Sequence, residues 1–127
     1  ATQVYLADTH GEMGLWYRLA PVTFMASSLE AGHGGRDPYE AAALGSAVVY
    51  GPNASDHLDA YARLVAAGAA RRVSDATSLS AALSPMIAPD RAASMAEAGW
   101  AVVSAGAEVT DRITDLVLDT LDLGRAA

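Results

Sequence analysis

The stretch Gly32-His33-Gly34-Gly35-Arg36-Asp37-Pro38-Tyr39-Glu40 carries residue types that can receive an anion. Glycines let a backbone approach a ligand closely. A helix starting at Pro38 would aim its free N–H groups and positive dipole end at the same space, which suits a phosphate. Arg36 adds a fork of donors, and Glu40, one turn into the helix, is placed to accept hydrogen bonds from two sugar hydroxyls. Spacing alone does not separate this reading from a plain glycine-rich connection leading into a capped helix. A second group, Asp8-Thr9-His10-Gly11-Glu12, falls after an apolar run. It reads either as a catalytic or phospho-accepting aspartate, or as a loop in which Asp8 or Thr9 caps the next helix. Phosphotransfer folds that use such an aspartate also need a lysine, and the chain has none. His10, His33 and His57, taken with Asp8, Glu12 and Asp56, match no zinc-ligand spacing. His10-x-Glu12 is half of a deaminase signature, but the cysteines that complete it are missing. No Gly-x-Ser-x-Gly elbow is present, which argues against a serine hydrolase.

These groups need elements to position them. Val4–Ala7 reads as a buried strand. A helix follows from Gly11 to Arg18 and is stopped by Pro21. Val22–Ala26 is the second strand, and the loop Ser27–Asp37 leads to a helix over Pro38–Leu44, with Asp37 as N-cap and Gly45 as C-cap. Ala47–Tyr50 is the third strand. Asp56 is expected to cap a helix running to Ala67, and Ala70–Val73 is a short fourth strand. Asp75 caps a helix through Met86. Pro89 opens a last helical region with a stripe at Val102, Gly106, Val109, Ile113, Leu116 and Val117, whose spacing predicts a core-facing side. Alternating strands and helices imply an α/β fold with a parallel sheet and helices on both faces. Ligands then lie beyond the carboxyl ends of the strands.

The chain has 127 residues, the size of one domain, and 52% hydrophobic residues, enough to bury a core. A net charge of −7 disfavours nucleic acid as a partner. Without cysteine there is neither a disulfide nor a thiolate metal site. No apolar run reaches the length of a membrane span, and no signal peptide is visible. An abrupt start on a strand is what an excised piece of a longer enzyme would show.

Asp8-Thr9-His10-Gly11-Glu12-Met13-Gly14-Leu15 resembles the Asp-Thr-Met-Gly-Glu-Leu-Gly-Leu segment of the 3-deoxy-manno-octulosonic acid (Kdo) transferase family. Ser28-Leu29 and Gly34-Gly35-Arg36-Asp37-Pro38-Tyr39-Glu40-Ala41-Ala42-Ala43-Leu44-Gly45 resemble that family's Gly-Ser-Leu and Gly-Gly-His-Asn-Pro-x-Glu-Pro-Ala-Ala-Leu-Gly. Gly51-Pro52-Asn53 stands where the family has Gly-Pro-His, and Asp75–Leu79 also sits in order. The resemblance implies residues 1–127 of a single Rossmann-like domain, the C-terminal donor-binding part of a GT-B glycosyltransferase. The donor would be CMP-Kdo and the acceptor a lipid A precursor in lipopolysaccharide biosynthesis, at the cytoplasmic face of the bacterial inner membrane. It places Ser28, Gly34 and Gly35 by the phosphate and Glu40 at the ribose, with Arg36, Asp37, Asn53 and Asp56 completing the donor site. Asp8, Thr9, Gly11 and Glu12 form a structural loop. The general base would belong to an N-terminal domain outside this chain, and no metal or other cofactor would be needed.

The departures are specific. Ala26-Ser27 replaces a pair of glycines, Arg36-Asp37 replaces His-Asn, and Asp56-His57 replaces Asn-Phe. An aspartate for an asparagine adds repulsion toward a phosphate unless Arg36 or His57 offsets it. Two alternatives remain: a degenerate nucleotide-sugar-binding module, or another GT-B enzyme such as a UDP-sugar epimerase. In the GT-B strand order, strands upstream of Ala1 would separate Val4–Ala7 from Val22–Ala26. The chain should therefore pair these two directly, or leave edges open and form a homo-oligomer.

Overall fold

The computed structural model describes residues 2–126. Its sheet has three parallel strands in the order β1-β2-β3: β1 (Val22–Met25), β2 (Ala47–Tyr50) and β3 (Ala70–Arg72). The helices are α1 (Met13–Leu19), α2 (Tyr39–Ala43), α3 (Leu58–Ala66), α4 (Ala76–Met86) and α5 (Pro89–Ala126), with a 3-10 turn at Ser55–His57 ahead of α3. All four residues of β2 are buried, as a continuous apolar strand covered on both faces requires. On one face, Val48 and Tyr50 pack with Met25, with Ala41 and Ala42 of α2, and with Tyr61 and Leu64 of α3. On the other, Ala47 and Val49 pack with Ala82 and Met86 of α4 and Met95 of α5. The abundant alanines have a use here. A Cβ added to Gly99 of α5 would lie 3.3 Å from the Ala42 side chain and 3.5 Å from that of Ala69, so the long helix crosses on small residues only.

Three expectations are corrected. Val4–Ala7 is not a strand: Val4, Tyr5 and Leu6 are 84%, 72% and 81% exposed and pair with nothing in the sheet. A strand needs a neighbour for its ladder hydrogen bonds and its buried face. Here the segment instead lays Tyr5 against Trp16, ring centroids 5.4 Å apart, and the outer edge of β1 stays open. Asp56 does not cap α3, because the 3-10 turn intervenes and no side chain caps that helix. The apolar stripe of the last helix is not core beyond its first turns. Val102 is half-buried, but Val109, Ile113, Leu116 and Val117 are each more than half exposed. From Ala105 to Ala126 every residue of α5 is exposed, because the helix outruns the sheet and its covering helices.

Candidate functional site

A parallel sheet puts the loops after β1, β2 and β3 on one edge. The first two are laced together at their roots. Ser28 is fully buried; its hydroxyl donates to the Met25 carbonyl at 2.5 Å and accepts the Gly51 amide at 2.8 Å. The Asn53 amide donates to the Ser28 carbonyl at 2.8 Å, and its side-chain amide donates to the Leu29 carbonyl at 3.0 Å. Gly51 has no space for a side chain, since a Cβ there would lie 2.3 Å from the Ser28 carbonyl oxygen and 2.8 Å from Leu29 Cα. The turn out of β1 is strained: Ser27, where the resembled family has glycine, takes φ +64°, a left-handed backbone that costs an ordinary residue about 1 kcal/mol.

The glycine turn lies further out. Gly34 and Gly35 take φ +71° and +82°. A Cβ on Gly34 would fall 2.0 Å from a carboxylate oxygen of Asp56, and one on Gly35 would fall 3.0 Å from Ala54 Cα. The Asp56 amide also donates to the Gly34 carbonyl at 3.1 Å. The space these glycines open is thus taken by the chain's own second loop, while Gly32 has nothing within 4 Å of its missing Cβ. At the start of α2, Asp37 accepts the Tyr39 amide at 2.9 Å, so the helix end expected to meet an anion already holds a carboxylate. Tyr61 anchors this turn from below. It stacks on Tyr50 at 4.1 Å, and its hydroxyl donates to the Arg36 carbonyl at 2.6 Å. Burial, then the nearby Asp37 charge, holds the Tyr61 phenol well above its ordinary pKa. Burial and then Glu40 raise that of Tyr17.

Two cavities flank Asp56. One of about 360 Å³ lies between Gly32-His33-Gly34 and Pro52-Asn53. The other, about 620 Å³, is lined by Asp37, Tyr39, His57, Asp59 and Arg63, and Ser55, Asp56 and Leu58 belong to both. The loops therefore bring Gly34, Asp37, Asn53 and Asp56 around one region. Arg36, between Gly35 and Asp37 in the chain, is exposed and lines neither cavity. Ser28 and Asn53 hold the loops with the same groups that were expected to reach a ligand. Glu40 is exposed in the first turn of α2 and lines neither cavity; its charge bears on Tyr17. Asp8, Thr9, Gly11 and Glu12 also line neither. They shape the entry to α1: Thr9 donates to the Glu12 carboxylate at 2.5 Å, and the Glu12 carbonyl accepts the Leu15 and Trp16 amides. Sequence reasoning missed Tyr61 and Arg63. Tyr61 shared a buried stripe with Leu64, a pattern that signals core and says nothing about a hydroxyl. Arg63 looked like any exposed helix charge.

No family model matches the chain. It is 40% identical over 119 residues to the 3-deoxy-D-manno-octulosonic acid transferase of Bordetella pertussis, covering 93% of this chain and 28% of that protein. The enzyme of the same name from Rickettsia felis is 28% identical over 87 residues, 68% of this chain and 18% of that one. The chain thus spans less than a third of the curated relatives' length. Among solved structures, the crystal structure of the C-terminal CMP-Kdo binding domain of WaaA from Acinetobacter baumannii superposes with a TM-score of 0.71 at 28% identity, over 80% of this chain and 53% of that one.

Proposed function

This chain belongs to the 3-deoxy-D-manno-octulosonic acid transferase family, and from that premise we propose that it is donor-binding structure of a GT-B glycosyltransferase that moves Kdo from CMP-Kdo to a lipid A precursor. The observation that carries this is the coincidence of two things: relatedness along 93% of the chain, and a pair of laced loops with open cavities at the carboxyl edge of the sheet. In the reaction the bond from the sugar's anomeric carbon to the CMP phosphate oxygen breaks, CMP leaves as an anion, and an acceptor hydroxyl forms the new glycosidic bond. The acceptor proton goes to a base outside this chain. His57 and Arg63 line the larger cavity, His33 lines the smaller one, and Arg36 is exposed next to Asp37 in the chain; the reading assigns neutralisation of the leaving phosphate to these groups and to backbone N–H groups, without a metal. Glu40 is assigned to the ribose. Work at the cytoplasmic face of the inner membrane, and association with a second copy of the chain, belong to the same proposal.

The test is calorimetric titration of CMP, UMP and UDP. CMP should bind best, and Arg36→Ala should weaken it by about 1–3 kcal/mol. A preference for a uridine nucleotide would move the reading to another GT-B activity. The Asp56 carboxylate lying against Gly34 favours one second reading, a degenerate module. Asp56→Asn separates the two. If it alone restores CMP binding, the native chain is the degenerate form.

A further inference from the structure

We infer that Tyr61 is a positioning residue, whose hydroxyl holds the Gly34–Asp37 turn in the conformation that meets the donor's phosphate. The inference rests on the donor reading and deepens it. Tyr61 is 1% exposed, in the same core cluster as Tyr50, Ala54 and Leu64. A phenylalanine would fill that place and keep the stack on Tyr50 at 4.1 Å. What phenylalanine lacks is the hydroxyl, and here the hydroxyl donates to one atom, the Arg36 carbonyl oxygen at 2.6 Å. Burial and then the Asp37 charge raise the phenol's pKa, so at neutral pH it stays a protonated donor.

The turn needs such a hold. Residues 26–38 form neither helix nor strand, so no ladder fixes their backbone. Gly32, Gly34 and Gly35 have positive φ, and glycine is the residue type with the most freedom to lose on ordering. Among the described residues, two hydrogen bonds tie residues 30–36 to the rest of the fold: the Asp56 amide to the Gly34 carbonyl at 3.1 Å, and Tyr61 to the Arg36 carbonyl. They differ in where they start. Asp56 is exposed in the 3-10 turn of the second loop, whereas Tyr61 is fixed in the core. On the far side of Arg36, Pro38 is fully buried, and a proline restricts the residue before it. The Tyr61 bond therefore falls where a run of glycines gives way to a fixed chain. The Arg36 carbonyl belongs to the rigid peptide plane that joins Arg36 to Asp37. Gly34 borders the smaller cavity and Asp37 the larger, so holding that plane sets the wall between them. Without the bond the turn has more conformations to give up when an anion arrives, and that ordering cost weakens binding.

The test compares CMP with cytidine, which lacks the phosphate, by calorimetry on the whole chain, with cytidine measured in competition against CMP. Tyr61→Phe should raise the CMP dissociation constant about 3- to 10-fold and leave that of cytidine within about twofold, with the circular dichroism of the fold retained. Ala82→Gly is the control. Ala82 is buried in α4 on the opposite face of the sheet, and glycine there destabilises the helix about as much as losing one hydrogen bond, so both affinities should hold. Equal losses of CMP and cytidine in Tyr61→Phe, or the same CMP loss in Ala82→Gly, would make the phenol a structural group and overturn the inference. If cytidine binds too weakly to measure, the comparison of the two variants on CMP decides. A Tyr61→Phe protein that binds CMP as the native chain does also overturns the inference, and weakening by Arg36→Ala would then leave the donor reading standing. A native chain that ignores CMP, or prefers a uridine nucleotide, overturns both.

Discussion

Replacing Ser28 with alanine separates two roles that one residue type could have. Its hydroxyl is fully buried and makes two hydrogen bonds, at 2.5 Å to the Met25 carbonyl and 2.8 Å from the Gly51 amide. Alanine removes both and strands the Gly51 N–H in a buried position with no room for water, because Gly51 is pressed against the Ser28 carbonyl and Leu29 Cα. A lost hydrogen bond costs about 1 kcal/mol, and an orphaned buried amide adds about 1–2 more, so the variant should lose about 2–3 kcal/mol. For a domain of this size that lowers Tm by about 8–12 °C. The assay is urea unfolding followed by circular dichroism, with CMP titrated against the folded variant at low temperature. If Ser28 holds the loops together, stability falls by that amount and CMP affinity of the folded protein changes little. If it instead contacts the phosphate, affinity falls while the unfolding midpoint holds. A midpoint shift worth less than about 0.5 kcal/mol refutes the lacing argument.

Gly51→Ala should destabilise more than Ser28→Ala in the same urea series, since its Cβ meets main-chain atoms that cannot swing aside. Tyr61→Phe deletes the 2.6 Å bond to the Arg36 carbonyl and should cost about 1 kcal/mol; faster amide exchange in residues 32–37 would confirm which segment it holds. Because the Tyr61 and Tyr17 phenols are held above their ordinary value of 10.0, their contribution is complete below that pH and is lost as pH rises through the folded values. Alkaline unfolding should therefore begin later in the doubly substituted phenylalanine protein, relative to its own neutral-pH stability. Asp75 runs the other way. Its pKa is lowered from 3.8 by the Ser78 amide and hydroxyl, so the cap's contribution is present above that value and fades as pH falls through the folded pKa. In Asp75→Asn the acid-side slope of stability should flatten.

Much of this architecture was legible because its signals are local. Gly45 and Gly68 end helices with φ +91° and +80°. Asp75 and Ser78 form a reciprocal cap, and Ala47–Tyr50 reads as a strand buried on both faces. What was not legible depends on what lies alongside. Val4–Ala7 has a strand's composition, but pairing is a property of two segments, and the second is missing from the described chain. The stripe of α5 has core spacing, but periodicity gives a face and not the thing that covers it. Asp56 sits directly before a helix, which is the usual place for a cap, yet the chain inserts a 3-10 turn and turns the carboxylate toward Gly34.

That last displacement bears on where a phosphate can go. A glycine-rich turn has two ordinary causes, a ligand that must come close or another segment that already has. At Gly51 the approaching segment is backbone; at Gly35 it is Ala54, and at Gly34 the Asp56 carboxylate. None of the three needs a ligand to explain its glycine. Gly32 has no such neighbour and borders the 360 Å³ cavity together with His33. If the turn receives the donor's phosphate as it stands, it does so on the Gly32–His33 side. Binding at Gly34–Gly35 requires Asp56 to rotate away, and repulsion between the two anions opposes the ligand while favouring that rotation. Replacing the carboxylate with an amide, in Asp56→Asn, removes the repulsion without changing the shape. The sign of the change in CMP affinity therefore tells which side of the turn is used: a clear gain puts the phosphate at Gly34–Gly35, and near-indifference puts it at Gly32–His33.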